Sequence, residues 1–139
     1  MAPSADLACV DLDNFTTLND EFVHSVGDEV LRTVAVSLRS AIRSTDLAAR
    51  VGGDEFALLF PETDKQGAHV VLETVLGRLH QDMTRAGWPV TASVGSVTTT
   101  EAASTESLLR QADQVMYEVK RAGKAAVRAA ETGDANPAT

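Results

Sequence analysis

Residues 50–60 read RVGGDEFALLF: Arg50-Val, the glycine pair Gly52-Gly53, the acids Asp54-Glu55, and an apolar run from Phe56 to Phe60. The run Glu55 to Phe60 is a strand by composition, and Pro61 ends it. Leu47 to Val51 makes a second strand, and Gly52-Gly53-Asp54 is a hairpin connection of the glycine-containing kind. Two readings of the glycines stand at this point. They supply positive φ for a tight turn, or their missing β-carbons let a phosphate come close to the backbone.

The rest of the chain arranges itself around that hairpin. Leu7 to Leu12 is a buried strand ending in Asp11 and Asp13, and a short helix follows over Phe15 to Phe22. Gly27 and Asp28 open a longer helix, whose Val30/Leu31, Val34, Leu38 and Ala41/Ile42 recur at three- and four-residue steps. Asp64 to about Arg85 is helical with Val70/Val71, Val75 and Leu79 on one side, and Pro89 to Thr98 alternates as a strand. Ser104 or Thr105 caps a last helix striped by Leu108, Ala112, Val115/Met116 and Val119 and closed by Gly123. Ala125 to Ala129 is a final edge strand. This order predicts one α/β domain, a sandwich with a central, mostly antiparallel sheet flanked by helices, related to ferredoxin-like and polymerase-palm folds. It spans residues 1–130, with a flexible polar tail over 131–139.

Composition narrows the function. The chain has 139 residues, 44% hydrophobic and 23% charged, with a formal net charge of -8. That balance argues against a nucleic-acid or anionic-membrane surface, which needs a basic footprint. No apolar stretch approaches the roughly 20 residues of a membrane span, and the expected compartment is the cytoplasm. The single cysteine, Cys9, lies in an apolar run and is expected to be a buried thiol.

Two acidic clusters stand at strand ends, Asp11 with Asp13 and Asp54 with Glu55. Carboxylates on adjacent strands, with a backbone carbonyl, make a hard-oxygen site of the kind Mg²⁺ takes. The alternative is four solvated turn residues.

The string RVGGDEF, preceded by CVDLDNFTTLND and VGDEVL and followed by ADQVMYEVKRAGK, resembles the GGDEF-domain family of diguanylate cyclases, from about Leu7 to Lys124. The resemblance implies a nucleotidyl cyclase fold and the condensation of two GTP into cyclic di-GMP plus two pyrophosphates, in bacterial signalling. It implies Mg²⁺, with Mn²⁺ possible, held by Asp11, Asp54 and the Leu12 carbonyl, with Glu55 beside them in the catalytic group. Backbone amides around Asn14, Phe15 and Thr16 would cradle phosphates, as would the space over Gly52 and Gly53. Asn19 and Asp28 would read guanine, Lys120 and Lys124 would contact the triphosphate, and His24 would support the guanine pocket. Arg43-Ser-Thr-Asp46 has the RxxD form of a product-inhibition site, with Arg78 a candidate second arginine. Catalysis would need a transient homodimer, with a sensory or dimerising partner.

The chain departs from the pattern in three places. Only about six residues precede the first strand, where the family carries a helix and a DxLTxLxNR-type segment; this implies truncation or degeneration. Thr16 stands where a lysine is common, and Val23 where glycine is common. The alternative function is therefore a weak or inactive module that binds GTP or cyclic di-GMP as a sensor.

Overall fold

The computed structural model describes residues 4–21 and 24–132, the side chains of 21–25 excepted. Its elements are β1 (Ala5–Asp13), α1 (Phe15–Glu21), α2 (His24–Ala41), β2 (Leu47–Arg50), β3 (Glu55–Pro61), α3 (Lys65–Ala86), β4 (Thr91–Thr99), α4 (Thr105–Arg121) and β5 (Val127–Glu131). The strands form one sheet in the order β2-β3-β1-β4-β5. β1 pairs antiparallel with β3 and β4, β2 pairs antiparallel with β3, and β5 runs parallel to β4. This is the mostly antiparallel sheet that the sequence predicts.

β1 is apolar without alternation because both of its faces are covered. Ala8, Val10 and Leu12 pack with Val30, Val34 and Leu38 of α2 and Leu72, Val75 and Leu79 of α3. Leu7 and Cys9 face the other way, onto Leu108, Ala112, Val115 and Met116 of α4. The Cys9 thiol is buried, and burial pushes it up to about 12, so it is a core thiol as expected.

Gly95 shows how closely α4 lies on the sheet. A β-carbon there would sit 2.6 Å from Met116 Cα and 2.7 Å from the Ala112 carbonyl oxygen. Ser104 caps α4, its hydroxyl accepting from the Ser107 amide at 3.0 Å. The seating of this helix fixes where Lys120 projects.

Four expectations need correction. α2 begins at His24, so Gly27 and Asp28 lie inside the helix and Asp28 is not its cap. Gly27 serves contact between helices instead, because a β-carbon there would collide with the Asn19 side chain. On α3 the buried line is Ala68, Leu72, Val75, Leu79 and Met83, while Val70 is 60% exposed. Val70 and Val71 are adjacent and cannot both face the core; Val71 takes the half-buried place. Neither Gly52 nor Gly53 has positive φ, so the hairpin does not use them for a left-handed turn. The last strand falls at Val127–Glu131, slightly later than expected, because residues 123–125 form a tight turn of positive φ. The tail beyond Thr132 lies outside the described residues.

Candidate active site at the ends of β1 and β3

Register brings the two acidic clusters together. Asp11 pairs with Glu55 across β1 and β3, and the Leu12 amide donates to the Asp54 carbonyl at 3.0 Å. A strand residue's N–H and C=O point to the same edge, so the Leu12 carbonyl also faces the hairpin turn. The turn is braced by its own arginine: Arg50 Nε donates to the Gly52 carbonyl at 3.0 Å and Nη2 to the Gly53 carbonyl at 2.9 Å. A β-carbon on Gly53 would meet nothing within 4 Å, and one on Gly52 would make ordinary contact with Glu55 at 3.4 Å. Neither conformation nor packing within the chain requires this glycine pair.

Burial, and then repulsion from Asp54, raise the pKa of Asp11 despite the opposing charge of Lys120. Two carboxylates and a carbonyl converging in this way fit a hard divalent cation, which would relieve that repulsion.

Asp13 is not the solvated turn residue that its place at a strand end suggests. Its side chain is fully buried. Oδ1 accepts from the Ser93 hydroxyl at 2.8 Å and from Lys120 Nζ at 2.9 Å. Oδ2 accepts from the Thr91 hydroxyl at 2.8 Å and the Ala125 amide at 3.3 Å. Burial opposes its charge, but these donors outweigh burial and hold the carboxyl below its ordinary value. Both oxygens are committed, so Asp13 is not a free metal ligand. Lys120 Nζ also lies 3.4 Å from Asp11, and this pair of acids raises its pKa against the effect of burial.

Glu55 pairs with Asp113 of α4. Burial, followed by the hydrogen bond and charge of Asp113, pushes Glu55 up to about 7. Ligand atoms of Cys9, Glu55 and Asp113 lie within 4.8 Å of one another. The thiol, however, is held protonated and donates to the Leu109 carbonyl at 3.8 Å, which leaves a carboxyl pair rather than a thiolate site.

The remaining candidates occupy two regions. Asn19 of α1 packs against Gly27 of α2, next in sequence to the exposed Asp28. A groove of about 450 Å³ between α2 and β2 is lined by Asp28, Leu31, Arg32, Arg39, Arg50 and Phe56. Asn14 has φ 67° at the entry to α1, where Leu18 N donates to its carbonyl at 3.0 Å. Phe15 is a packing residue against the core, and Thr16 is exposed. Lys124 is exposed on the turn after α4. His24 falls outside the described side chains.

Arg43 and Asp46 stand apart from this centre. Asp46 is buried and accepts from the Arg43 amide at 2.8 Å and from Arg43 Nη2 at 2.9 Å. The same Nη2 reaches the Pro61 carbonyl and the Thr63 hydroxyl, each at 2.9 Å, while the arginine side chain stays 56% exposed. Arg78 donates to the Ser40 hydroxyl at 2.8 Å. No described helix is long and apolar enough to cross a membrane.

Known proteins resemble this chain in sequence and fold. Residues 3–126 match the family model described as diguanylate cyclase, GGDEF domain. The diguanylate cyclase DgcS of Shewanella oneidensis is 35% identical over 121 residues, covering 87% of this chain and 40% of DgcS. The chain thus spans well under half the length of that relative. The GGDEF domain of DgcB from Caulobacter crescentus, solved in complex with c-di-GMP, superposes with a TM-score of 0.80 at 29% identity, covering 91% of this chain and 78% of that one. Diguanylate cyclase SiaD of Pseudomonas aeruginosa, solved with its activator SiaC, gives a TM-score of 0.84 at 35% identity, covering 91% of this chain and 50% of that one. With the family model matching residues 3–126 and relatives of this identity over most of its length, the chain belongs to the GGDEF-domain family of diguanylate cyclases.

Proposed function

We propose that the chain is a diguanylate cyclase that joins two GTP molecules into cyclic di-GMP and releases two pyrophosphates. The observation that carries this reading is the Asp11–Asp54 pair at adjacent strand ends, beside a glycine pair that the chain's own folding does not need. Each 3′-hydroxyl attacks the α-phosphorus of the other GTP, the bond to the β-phosphate breaks, and the hydroxyl proton leaves to a base.

Asp11, Asp54 and the Leu12 carbonyl would hold a divalent cation, Mg²⁺ with Mn²⁺ as substitute. When bound, it lowers the hydroxyl's pKa and offsets charge on the leaving pyrophosphate. Glu55, paired with Asp113 beside these acids, assists the metal site or the proton transfer from the hydroxyl. Asn19 and Asp28 bind guanine: an aspartate accepts from its N1–H and exocyclic amine, a donor pair that adenine lacks. The amides of residues 14–16 and the backbone at Gly52 and Gly53, with open space over Gly53, receive phosphates, and Lys120 and Lys124 balance their charge.

Ring closure needs two α-phosphates and two hydroxyls face to face, so the working unit is a homodimer with one GTP on each chain. The test is to incubate the chain with GTP and Mg²⁺ or Mn²⁺ at rising protein concentration and to separate the nucleotides. Cyclic di-GMP is expected, with specific activity rising with chain concentration. GTP bound yet intact at every concentration would establish the sensor reading in its place.

Arg43 is the proposed contact for the product's phosphate, held in place by the buried Asp46. Arg43→Lys keeps a cation on Asp46 but removes the bidentate fork, and should weaken cyclic di-GMP binding about tenfold without changing GTP binding. Equal weakening of both ligands in calorimetry would remove the product site.

A further inference from the structure

We infer that Asp13 is a positioning residue that sets the two lysines of the site, Lys120 directly and Lys124 through the Ala125 amide. The inference rests on the GTP-condensing reading for what those lysines touch, and on geometry for the rest.

A carboxylate buried this deeply is costly unless every oxygen is used. Asp13 gathers donors from two sources with two different consequences. Thr91 and Ser93 belong to the neighbouring strand β4 and fix the carboxylate itself. Lys120 and Ala125 belong to the end of α4 and the turn beyond it, and here the carboxylate does the fixing.

That turn needs a restraint. Gly123, Lys124 and Ala125 have φ of 130°, 67° and 52°, three left-handed residues in succession, two of them with side chains. Such a conformation is unfavourable for lysine and alanine, and persists where bonds on either side impose it. One bond is Lys124 N to the Val119 carbonyl at 3.0 Å, and the next is Ala125 N to Asp13 Oδ2 at 3.3 Å. Lys124 sits between them with its side chain free to reach a ligand.

The Lys120 ammonium is shared between Asp13 at 2.9 Å and Asp11 at 3.4 Å. These two acids have different duties. Asp11 is assigned to a cation, whereas Asp13 has no free oxygen to give one. When Asp11 is taken, Lys120 retains Asp13 as its anchor and stays at the site's edge.

Asp13→Asn tests this with little change of shape. The asparagine amide cannot accept from Ala125 N–H, and its neutral oxygen holds Lys120 less firmly. In NMR of the variant, the Ala125 amide should exchange about tenfold faster and the slowly exchanging Lys120 ammonium signal should disappear, while amides of the β1–β4 ladder keep their protection. GTP affinity in the presence of Mg²⁺ should fall about tenfold. In a Lys120→Met/Lys124→Ala background, the same substitution should change it less than about threefold. A merely structural Asp13 would weaken GTP equally in both backgrounds, and that result overturns the inference. So does unchanged exchange at Ala125 and Lys120. If Asp13→Asn does not fold, the unsubstituted chain decides, because a freely exchanging Ala125 amide there also overturns it. A chain that binds no GTP at all would sink the cyclase reading and leave the exchange measurement to judge the positioning.

Discussion

Asp54→Ala is expected to fold normally and to form cyclic di-GMP at least about 10³-fold more slowly, a loss of about 4 kcal/mol of transition-state stabilisation. The two halves of this expectation come from different atoms of one residue. The Asp54 carbonyl accepts from Leu12 N and ties the turn to β1, and alanine keeps that bond. The carboxylate takes part in no hydrogen bond or ion pair among the described residues, and its charge raises the pKa of both Asp11 and Glu55. Removing it relieves like-charge repulsion, so urea unfolding should show stability equal to or slightly above that of the parent chain. Higher stability with lost activity is what a site whose acids are gathered for a cation should give. Product formation within tenfold of the parent would remove Asp54 from the metal site. A chain that unfolds more easily would mean that the acid supports the turn instead.

Much of the fold was legible because its signals are local. The hairpin at 50–60, the both-sided apolar run of β1 and the stripe of α4 depend on composition and period within a dozen residues. The start of α2 was not, because Gly27 and Asp28 carry the marks of a helix beginning while the reason for Gly27 is Asn19 on another helix. Val70 misled for a related cause: two adjacent valines leave the phase of the apolar stripe open, and only the sheet decides it.

The site divides along the same line. Asp11, Asp54 and the glycine pair declare themselves through the motif, while the absence of positive φ at Gly52 and Gly53 is visible only in the folded turn. Asp13 and Asp113 were hidden because their partners are distant in sequence. Asp13 and Lys120 are 107 positions apart, so nothing around either residue announces the pair. Arg50 was in plain view at the head of the motif. Its use as a brace on the carbonyls of Gly52 and Gly53 depends on the folded shape of the turn.

Asp6→Asn should stabilise the chain by about 3 kcal/mol above neutral pH and by much less in mild acid. Asp6 is 1% exposed on β1, where Thr98 Oγ1 donates to its Oδ2 at 2.8 Å. Its Oδ1 and the nearby Ser96 hydroxyl oxygen are buried and make no well-formed hydrogen bond among the described residues, although the hydroxyl lies close enough to favour the charged carboxylate. Burial pushes the carboxyl up to about 7, against the lowering influence of Thr98 and Ser96. Between its unfolded value near 3.8 and about 7, the folded chain therefore holds a proton that the unfolded chain has lost. Unfolding then releases a proton, so this residue's contribution to stability is full below the unfolded pKa and declines until pH passes the folded one. Asparagine has no charge to bury. Its oxygen can accept from Thr98 and its amide can donate to Ser96, which satisfies both stranded atoms at once. Urea denaturation of both chains at about pH 4.5 and about pH 8 separates the outcomes. The gap should open with rising pH, and the slope left in the variant should reflect Glu55, which is raised in the same direction. A variant destabilised equally at both pH values would show that the Asp6 carboxylate is satisfied in the folded chain and that its burial carries no penalty.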